Sequence, residues 1–541
     1  MDALTFTFGS LVEPLLSGRD FILFDQRGVG LSEPSLACPE LTELSRADLA
    51  GEVPEGTVDE ATADALTGCR ERLTGSGVDL SNFNSVASAN DIDAIRSLLG
   101  YEQLNVVGVS YGTRLAQTYM RMYPDSLRSV TLDSVFPTSA DLWSNFDPSA
   151  VRAYEQLFEG CESSPACAGT YPNLRDDFFT LLDQLDETPA EVELQHLIDG
   201  STLNAVYDGD DVMGMAFGAL YDQGRFSVLP QMVEEGLAGD FSTIEFFGSV
   251  EFTNLDYVST GQQLSVECNE EITFESEEVQ QANVPTEAPY NRLADLDEGQ
   301  NIFALCRNWP SGEAPQVESE LVISDIPTLV LAGQYDPITP PAGADVVREG
   351  LANSYSFLFP HEGHGITPTE CGATLVNAFI ESPDVEPDSS CIASAPEPVW
   401  VTPDVGEIEL VEFEESGLVA VSGLRPEGWT SIGNGVFTRS QTATDPTTLV
   451  IQPTGGLAAE TLVDVLGTQL DIELLSTGTV EVQGESWPVF GSPATSADVA
   501  ARVAVGPGVD GVLVVLAAEP GQLDELYDAI FDEVAAAAMA G

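Results

Sequence analysis

Residues 105–120 read NVVGVSYGTRLAQTYM and place one serine, Ser110, between two glycines. The β-branched residues before the serine predict a buried strand, and the residues after it have helical spacing. A serine on a sharp turn from strand to helix forms a nucleophile elbow, which leaves the hydroxyl exposed above the sheet. The same turn aims the backbone N–H of Tyr111 at the oxygen that becomes negative during attack. We therefore predict Ser110 as a nucleophile and the Tyr111 N–H as an oxyanion donor, with a plain small-residue turn as the alternative.

Strand patterns recur on both sides of this stretch. FILFD at 21–25, the residues at 105–109 and RSVTLDSVFP at 128–137 read as strands separated by helical segments. The pattern resumes with IPTLVLAGQYDP at 326–337 and SYSFLFPHEGHG at 354–365. Strands that alternate with helices in this way predict a mostly parallel α/β sheet.

Changes in composition divide the chain into domains. Long helical stretches and acidic loops fill residues 137–320, which predicts a mainly helical cap inserted into an α/β core made of 1–136 and 321–395. The segment around 383–407 is rich in Pro, Ser and Asp and reads as a linker. Short strands and amphipathic helices follow it, so residues 396–541 are predicted to form a separate α+β domain of unknown role.

A serine nucleophile needs a base, and the chain has three histidines. His364 lies between two glycines in the loop after the last predicted strand of the sheet, where an imidazole is free to move. His361 belongs to the same loop and is the weaker candidate. His196, in ELQHLIDG, is expected on the surface of a cap helix.

The imidazole needs an acid that holds its tautomer and stabilises its cation. Asp336 follows the preceding strand in LAGQYDPITPP, and Asp133, after the strand at 128–137, is the competing candidate. The order Ser110, Asp336, His364 is the order found in α/β-hydrolases. The predicted triad is therefore Ser110, Asp336 and His364.

The charge of the chain excludes some classes of partner. There are 89 acidic residues against 18 basic ones, the net charge is −71, and every basic residue is an arginine. Nucleic acids and anionic membranes bind through positive patches, so neither is an expected partner. No apolar run has the length of a membrane span. Without a CxxC pair or a basic glycine-rich loop, the sequence predicts no metal and no organic cofactor.

Eight cysteines, an even number, favour disulfides and therefore an oxidising, extracytoplasmic location. The chain nevertheless opens with MDALTFTFGS, which lacks the basic and apolar regions of an export signal. We therefore expect the native start to lie upstream of Met1.

Several longer motifs surround the predicted triad. They are FDQRGVGLSEPSLACPE, the block that runs from DIDAIRSLLG to LDSVFP, VECNEE, CRNWP, IPTLVLAGQYDPITPP and HEGHG. In these motifs the chain resembles the proline iminopeptidase-like branch of α/β-hydrolases, and specifically the exported bacterial tripeptidyl aminopeptidases of peptidase family S33. The resemblance spans nearly all of residues 19–392 and leaves the C-terminal domain out. It implies an α/β-hydrolase fold and an enzyme that acts on peptides with a free N-terminus.

The resemblance also implies residues of the substrate site. In this family, acidic side chains of the cap clamp the α-ammonium group of the substrate. Glu270 in VECNEE matches the acidic position of the family's Cys-x-acid motif, and Glu267 and Glu271 are the alternatives. The resemblance further implies disulfides between successive cysteines, namely Cys38–Cys69, Cys161–Cys167, Cys268–Cys306 and Cys371–Cys391.

One family feature has no counterpart in the sequence. The family's His/Pro-Gly-Gly-Pro-Gly turn supplies the second half of the oxyanion hole, and the chain contains no such motif. In this fold the third strand lies between the strands predicted at 21–25 and 105–109, so the sheet is expected to lack its first three strands. A start upstream of Met1 would supply the strands and the turn, and without them we expect activity to be impaired. A family member that binds peptides without cutting them is the competing interpretation.

Three functions follow as hypotheses. The first is a serine exopeptidase that releases residues or short peptides from free peptide N-termini through an acyl-enzyme. The second is an esterase or other small-molecule hydrolase, because the fold and the triad do not choose between amides and esters. The third is a non-catalytic exported binding protein that acts through its C-terminal domain.

Overall fold

In a computed structural model the chain divides into two compact units. The model describes residues 12, 18–54, 56–293, 302–395, 397–402, 408–415, 420–439, 447–470, 474–482, 485–492, 500–507, 511–518, 522–523 and 526–540. The first unit comprises residues 1–160, 173–226 and 233–395, and the second comprises 161–172, 227–232 and 396–541.

The residues up to 395 form helices and strands that follow one another in chain order. Residues 18–136 form α1 (Pro39–Leu49), α2 (Val58–Gly75), α3 (Ser85–Leu99), β1 (Leu104–Val109), α4 (Tyr111–Met122) and β2 (Leu127–Asp133). Residues 137–320 form α5 (Phe146–Ser163), α6 (Pro165–Thr170), α7 (Leu174–Glu187), β3 (Ala190–Gln195), β4 (Thr202–Tyr207), α8 (Gly209–Ala219), α9 (Gln223–Phe226), α10 (Leu229–Ala238), α11 (Ser242–Asn254), α12 (Thr260–Glu270), α13 (Glu277–Asn283) and α14 (Ile302–Cys306). Residues 321–395 form β5 (Thr328–Gly333), α15 (Ala342–Arg348), β6 (Ser354–Phe359), α16 (Glu370–Glu381) and α17 (Ser390–Ala393).

The first unit is built on a parallel sheet with the strand order β1-β2-β5-β6. Every residue of β5, TLVLAG, is buried, as expected for a strand that is covered on both faces. Val330 packs in a cluster with Leu115 of α4, and Leu331 packs with Phe379 of α16. Helices therefore cover both faces of the sheet and leave the ends of its strands for a site.

Local signals set the ends of the helix that precedes β1. The Asn84 side chain accepts a hydrogen bond from the Ala87 N–H at the start of α3, and Gly100 ends the helix with φ of 83°. An asparagine N-cap and a left-handed glycine are the start and stop signals that the sequence carries at these positions.

The prediction of a strand at 21–25 is wrong. Among the described residues, β1 pairs with β2 alone, so no strand lies on its other side. A strand needs the backbone of a neighbour for its hydrogen bonds, and FILFD has none in the described part of the chain. Phe21 still packs against the core cluster that contains Leu331.

The predicted place of His196 is also wrong. The cap contains an antiparallel hairpin, β3 and β4, and His196 follows β3 instead of lying on a helix surface. Its side chain is buried, its Nδ1 accepts a hydrogen bond from the Asp199 N–H at 3.2 Å, and its ring packs edge-on against Phe252. The alternating burial of AEVELQ, typical of a half-buried strand, explains the difference.

Disulfides close all eight cysteines in the pairing that the family resemblance implies. Cys38–Cys69 joins the start of α1 to α2, and Cys268–Cys306 joins α12 to α14. The remaining bonds are Cys161–Cys167 and Cys371–Cys391. No helix among the described residues is both long and apolar enough to cross a membrane.

The C-terminal part of the second unit is mostly antiparallel sheet. It contains β7 (Leu410–Glu415), β8 (Val421–Pro426), β9 (Thr430–Gly433), β10 (Val436–Thr438), β11 (Thr448–Pro453), α18 (Ala459–Leu470), β12 (Leu475–Val482), β13 (Glu485–Gly491), β14 (Ala500–Val505), β15 (Val512–Ala518), α19 (Asp532–Ala537) and β16 (Met539–Ala540). One sheet has the order β12-β13-β14-β15-β11-β10-β9 and a smaller one the order β16-β8-β7. Trp429, Trp487 and Phe531 belong to its largest core cluster, so this part has a hydrophobic core of its own.

Candidate active site

The predicted triad residues all follow strands at one edge of the parallel sheet. Ser110 comes directly after β1, Asp336 after β5 and His364 after β6. The carboxyl ends of parallel strands meet at one edge, which is where α/β sheets place their ligand sites. The topology therefore brings together residues that are far apart in the sequence.

Ser110 has the backbone of a nucleophile elbow. Its φ is 56° and its ψ is −128°, a strained conformation for a residue with a side chain, and α4 begins at the next residue, Tyr111. A methyl group on Gly108 would lie 2.3 Å from the carbonyl oxygen of Gly112, so the strand and the helix approach too closely for any side chain at Gly108. The Ser110 N–H donates to the carbonyl of Asp133 at 3.0 Å, which fixes the turn against β2.

The structure joins His364 to Asp336. His364 Nδ1 lies 3.0 Å from Asp336 Oδ2, and Asp336 is fully buried. The Thr339 hydroxyl donates to the same Asp336 oxygen at 2.7 Å and lies 3.1 Å from His364 Nδ1. Asp336 Oδ1 accepts from the backbone N–H groups of Ile338 and Thr339. In the tautomer that donates Nδ1–H to the carboxylate, Nε2 is the acceptor nitrogen of a neutral ring.

Asp133, the competing acid, supports the histidine loop instead of the histidine ring. Its two carboxylate oxygens accept hydrogen bonds from the backbone N–H groups of Ile366 and Thr367, at 2.9 and 2.6 Å. Burial raises the pKa of Asp133, and these hydrogen bonds oppose the rise. Ser134, whose φ is 53°, accepts a third backbone hydrogen bond from Gly365 at 2.7 Å. The end of β2 therefore holds the loop that follows His364.

The histidine loop lies next to the elbow. A methyl group on Gly365 would be 3.7 Å from Val109 Cγ1, so the residue after His364 lies close to the residue before Ser110. His361, the weaker candidate, lies at a turn of the same loop, three residues from His364. The structure thus brings the neighbours of Ser110 and His364 close together.

A row of aromatic side chains leads away from the histidine into the cap. The ring centre of Tyr221 lies 4.9 Å from that of His364. The backbone carbonyl of Tyr221 also accepts a hydrogen bond from the backbone N–H of His364 at 2.8 Å. Three more rings continue the row, with neighbouring ring centres 5.3–6.2 Å apart. They belong to Phe217 next to Tyr221, Phe146 next to Phe217, and Trp143 next to Phe146. These four cap residues, which we call the aromatic row, are only partly buried and thus offer an apolar surface.

The proposed clamp residue Glu270 is connected to the elbow through Ser85, which contacts Tyr111. One of its oxygens accepts the Ser85 N–H at 3.0 Å and the other accepts the Ser85 hydroxyl. The Ser85 hydroxyl also lies 2.9 Å from the phenol oxygen of Tyr111. Arg114 pairs with Glu270 at 3.7 Å and donates to its backbone carbonyl. Both carboxylate oxygens of Glu270 are therefore used within the protein.

Glu267 differs from Glu270 in having an unused oxygen. Gln263 donates to Glu267 Oε1 at 3.0 Å, while Oε2 is buried without a hydrogen-bond partner among the described residues. Burial and then the nearby charges of Glu271 and Glu275 raise the pKa of Glu267 well above its ordinary value. A cation at Oε2 would offset the energetic cost of this buried carboxylate.

Glu271 connects this acidic group to the aromatic row. Its Oε2 accepts the Trp143 indole N–H at 3.0 Å, and burial raises its pKa to about 7. Glu271 and Glu275 line a polar cavity of about 290 Å³ together with Arg114 and Asp141. The aromatic row thus extends from His364 to a region that is rich in carboxylates.

Comparisons with known proteins agree with this architecture. The model of the α/β-hydrolase fold family matches residues 6–182, and the model of a family described as TAP-like protein matches residues 297–391. The chain has the α/β-hydrolase fold. The predicted fold class, an α/β-hydrolase with a C-terminal strand-rich domain, is confirmed.

Named relatives of this chain include peptidases. It is 26% identical over 365 residues to the tripeptidyl aminopeptidase of Streptomyces lividans, an alignment that covers 64% of this chain and 65% of that protein. It is 23% identical over 350 residues to the serine protease Hip1 of Mycobacterium tuberculosis, covering 61% of this chain and 66% of the relative. The chain thus spans about 65% of the length of the Streptomyces enzyme.

Solved structures add a distant likeness. A meta-cleavage product hydrolase from Pseudomonas fluorescens covers 69% of this chain and 84% of its own, with 14% sequence identity and a TM-score of 0.30.

Sequence reasoning missed several residues around the site. Thr339 follows Asp336 by three residues in DPIT, a spacing that indicates a local hydrogen bond between the two side chains. Ser134 gave no such signal, because its role depends on a left-handed conformation. Tyr221 and Ser85 come from distant segments, and only the fold shows that they touch His364 and Glu270.

Proposed function

We propose that this α/β-hydrolase is a serine exopeptidase that acts on peptides with a free N-terminus. The observation that carries the proposal is the hydrogen bond between His364 and Asp336 at the sheet edge where Ser110 has the elbow backbone. His364 Nε2 takes the proton of Ser110 as the oxygen attacks the scissile carbonyl, and the Tyr111 N–H stabilises the oxyanion. His364 then protonates the leaving amine, and water hydrolyses the acyl-enzyme.

The carboxylates of the cap support recognition of an α-ammonium group. Glu267 provides a buried oxygen without a hydrogen-bond partner in the described part of the chain, and a protonated amine is a cation that would pair with it. The aromatic row provides an apolar surface between His364 and the carboxylates for the side chains of the residues to be released. We propose an extracytoplasmic location, which fits the four disulfides.

The test compares amines that are free with amines that are blocked. The full, oxidised chain is assayed on fluorogenic aminoacyl and tripeptidyl amides, on their N-acetylated forms and on 4-nitrophenyl butyrate, with Ser110→Ala as the inactive control. We expect the parent chain to cleave the free-amine amides and the Ser110→Ala variant to leave them intact. In Glu267→Gln we expect KM for these amides to rise about 10- to 100-fold, because a charge-assisted hydrogen bond is lost.

Two results would contradict this function. Equal cleavage of free and acetylated amides would exclude recognition of the amine. Hydrolysis of the ester with every amide left intact would favour the esterase hypothesis instead.

A further inference from the structure

A buried series of hydrogen bonds links the cap to the back of the elbow. The Tyr111 phenol lies 2.9 Å from the Ser85 hydroxyl, and the Ser85 hydroxyl bonds to Glu270. Burial raises the pKa of the Tyr111 phenol, which therefore keeps its proton at neutral pH. The phenol thus donates to Ser85, and Ser85 donates to the carboxylate of Glu270.

The end of the series that contains Ser85 and Glu270 is shielded from solvent. Ser85 is 0% exposed and Glu270 is 1% exposed, and Arg114, which pairs with Glu270, is 2% exposed. Hydrogen bonds in such surroundings are strong, and an unpaired member is costly. The members of the series therefore hold one another in a single arrangement.

Arg114 provides a second connection between the same two elements. It lies on α4, one turn after Tyr111, and it donates to the backbone carbonyl of Glu270 at the end of α12. Two points of α4, the phenol of its first residue and the guanidinium of Arg114, are thus attached to Glu270. The position of α4 sets the direction of the Tyr111 N–H.

We infer that Glu270 is a positioning residue that holds the oxyanion-donating N–H of Tyr111 in place through Ser85 and the Tyr111 phenol. The inference rests on the proposed function in taking Ser110 as the nucleophile and the Tyr111 N–H as the oxyanion donor. It differs from the clamp implied by the family resemblance. Both Glu270 oxygens already accept hydrogen bonds from Ser85, so an ammonium group bound there would share or displace them.

The two roles predict different kinetics on a substrate without an amine. A clamp acts on KM and only for amine-bearing substrates, whereas a positioning residue acts on kcat for every substrate. The substrate for the test is therefore 4-nitrophenyl butyrate, and the second probe is a fluorophosphonate. Ser110 Oγ displaces fluoride from this reagent and forms a P–O bond, while the phosphoryl oxygen occupies the oxyanion position.

The variants are Tyr111→Phe, Ser85→Ala and Glu270→Gln. Loss of a whole oxyanion donor costs about 10²–10³ in rate, and we expect a misplaced donor to cost roughly 10-fold in ester kcat and in labelling rate, with KM unchanged. Because the residues act as a unit, their effects should not add. We expect the double variant Tyr111→Phe/Glu270→Gln to have an ester kcat no lower than that of the more impaired single variant.

Glu251→Gln is the control. Glu251 is a carboxylate of α11 whose pKa is raised by burial, and no described hydrogen bond or ion pair joins it to Tyr111, Ser85 or Glu270. We expect this variant to keep the kcat and the labelling rate of the parent chain. Tyr111→Phe removes one oxygen atom, so it remains informative even if Glu270→Gln fails to fold.

The outcomes separate this inference from the proposed function. An ester kcat within about twofold of the parent in folded Tyr111→Phe or Ser85→Ala overturns the inference. So does a Glu270→Gln variant that raises KM for free-amine amides alone, because that result assigns Glu270 to the clamp. If the parent cleaves no amide while ester kcat and labelling fall as expected, the exopeptidase fails and the positioning role stands.

Discussion

Asp336 and Asp133 are both fully buried at the carboxyl edge of the sheet, but their carboxylates face different groups. Asp336 contacts the His364 ring and the Thr339 hydroxyl. Asp133 accepts hydrogen bonds from backbone N–H groups of the loop after His364. One aspartate therefore orients the proposed base, and the other orients the loop that carries it.

Substitution by asparagine separates these two roles. We expect Asp336→Asn to lower kcat about 10⁴-fold with little change in KM, because the amide favours the wrong tautomer of His364. We expect Asp133→Asn to lower the free energy of unfolding by about 1–3 kcal/mol, because its amide NH₂ would face one of the two backbone donors, and to lower kcat much less. Ester kinetics and thermal unfolding measure both effects. A larger loss of kcat in Asp133→Asn would identify Asp133 as the acid.

The sequence favours Asp336 over Asp133 only through the order of the residues along the chain. Both follow predicted strands, and the choice depends on which carboxylate reaches the His364 ring across the sheet. The candidate nucleophile and base are accessible to sequence reasoning because each lies in a local glycine-flanked motif. The supporting residues Ser85 and Tyr221 are not, because their contacts join segments that are distant in the chain.

At the scale of elements, the elbow between β1 and α4 depends on one of its two glycines. A methyl group on Gly108 would lie 2.3 Å from the Gly112 oxygen, whereas a methyl group on Gly112 meets no atom within 4 Å in the described residues. The sequence pattern treats the two positions as equivalent. The fold makes only Gly108 a point of close approach.

Alanine at each glycine tests this asymmetry. We expect Gly108→Ala to push α4 away from β1, lowering ester kcat about 100-fold or preventing folding. We expect Gly112→Ala to keep kcat within about threefold and to stabilise the helix slightly, because alanine is the better helix former. Kinetics and circular dichroism of both variants provide the measurement. Equal tolerance at both positions would contradict the geometry of the elbow.

Elements are predictable where their pattern is local. β5 and β6 follow from apolar runs, and α3 from its N-cap and glycine stop. The same kind of run predicts a strand at 21–25, but a ladder also needs a partner, which no local pattern provides. The hairpin around His196 escapes prediction because its alternation is short and lies among helices.

At the scale of the whole molecule, the excess of acidic residues extends into the interior of the first unit. Burial raises the pKa of Glu251 to about 8 and the pKa of Glu362 to about 7. The folded chain therefore holds protons at pH values where the unfolded chain has released them.

These raised pKa values predict that the protein is more stable in mild acid. The stabilisation is complete below the ordinary pKa of about 4.5 and is lost as the pH rises through about 7–8. We expect the thermal midpoint to fall as the pH rises from 5 to 9, including at 1 M salt, because salt screens exposed charges more than buried ones.

Two variants locate the source of this dependence. Glu251→Gln should flatten the pH profile near pH 8, whereas Glu71→Gln, whose side chain is 72% exposed, should not. A midpoint that is independent of pH at high salt would mean that surface repulsion, and not the buried carboxylates, controls stability.

Ser85 and Glu270 touch although 185 positions separate them along the chain. A ribosome has to deliver most of the cap before this contact can form. During that interval the emerging chain carries Ser110 without the support that Glu270 gives to Tyr111. The disulfide of Cys268 closes only when Cys306 has also been made, and it then fastens α12 to α14. The contact can therefore form only after about half of the chain has been synthesised.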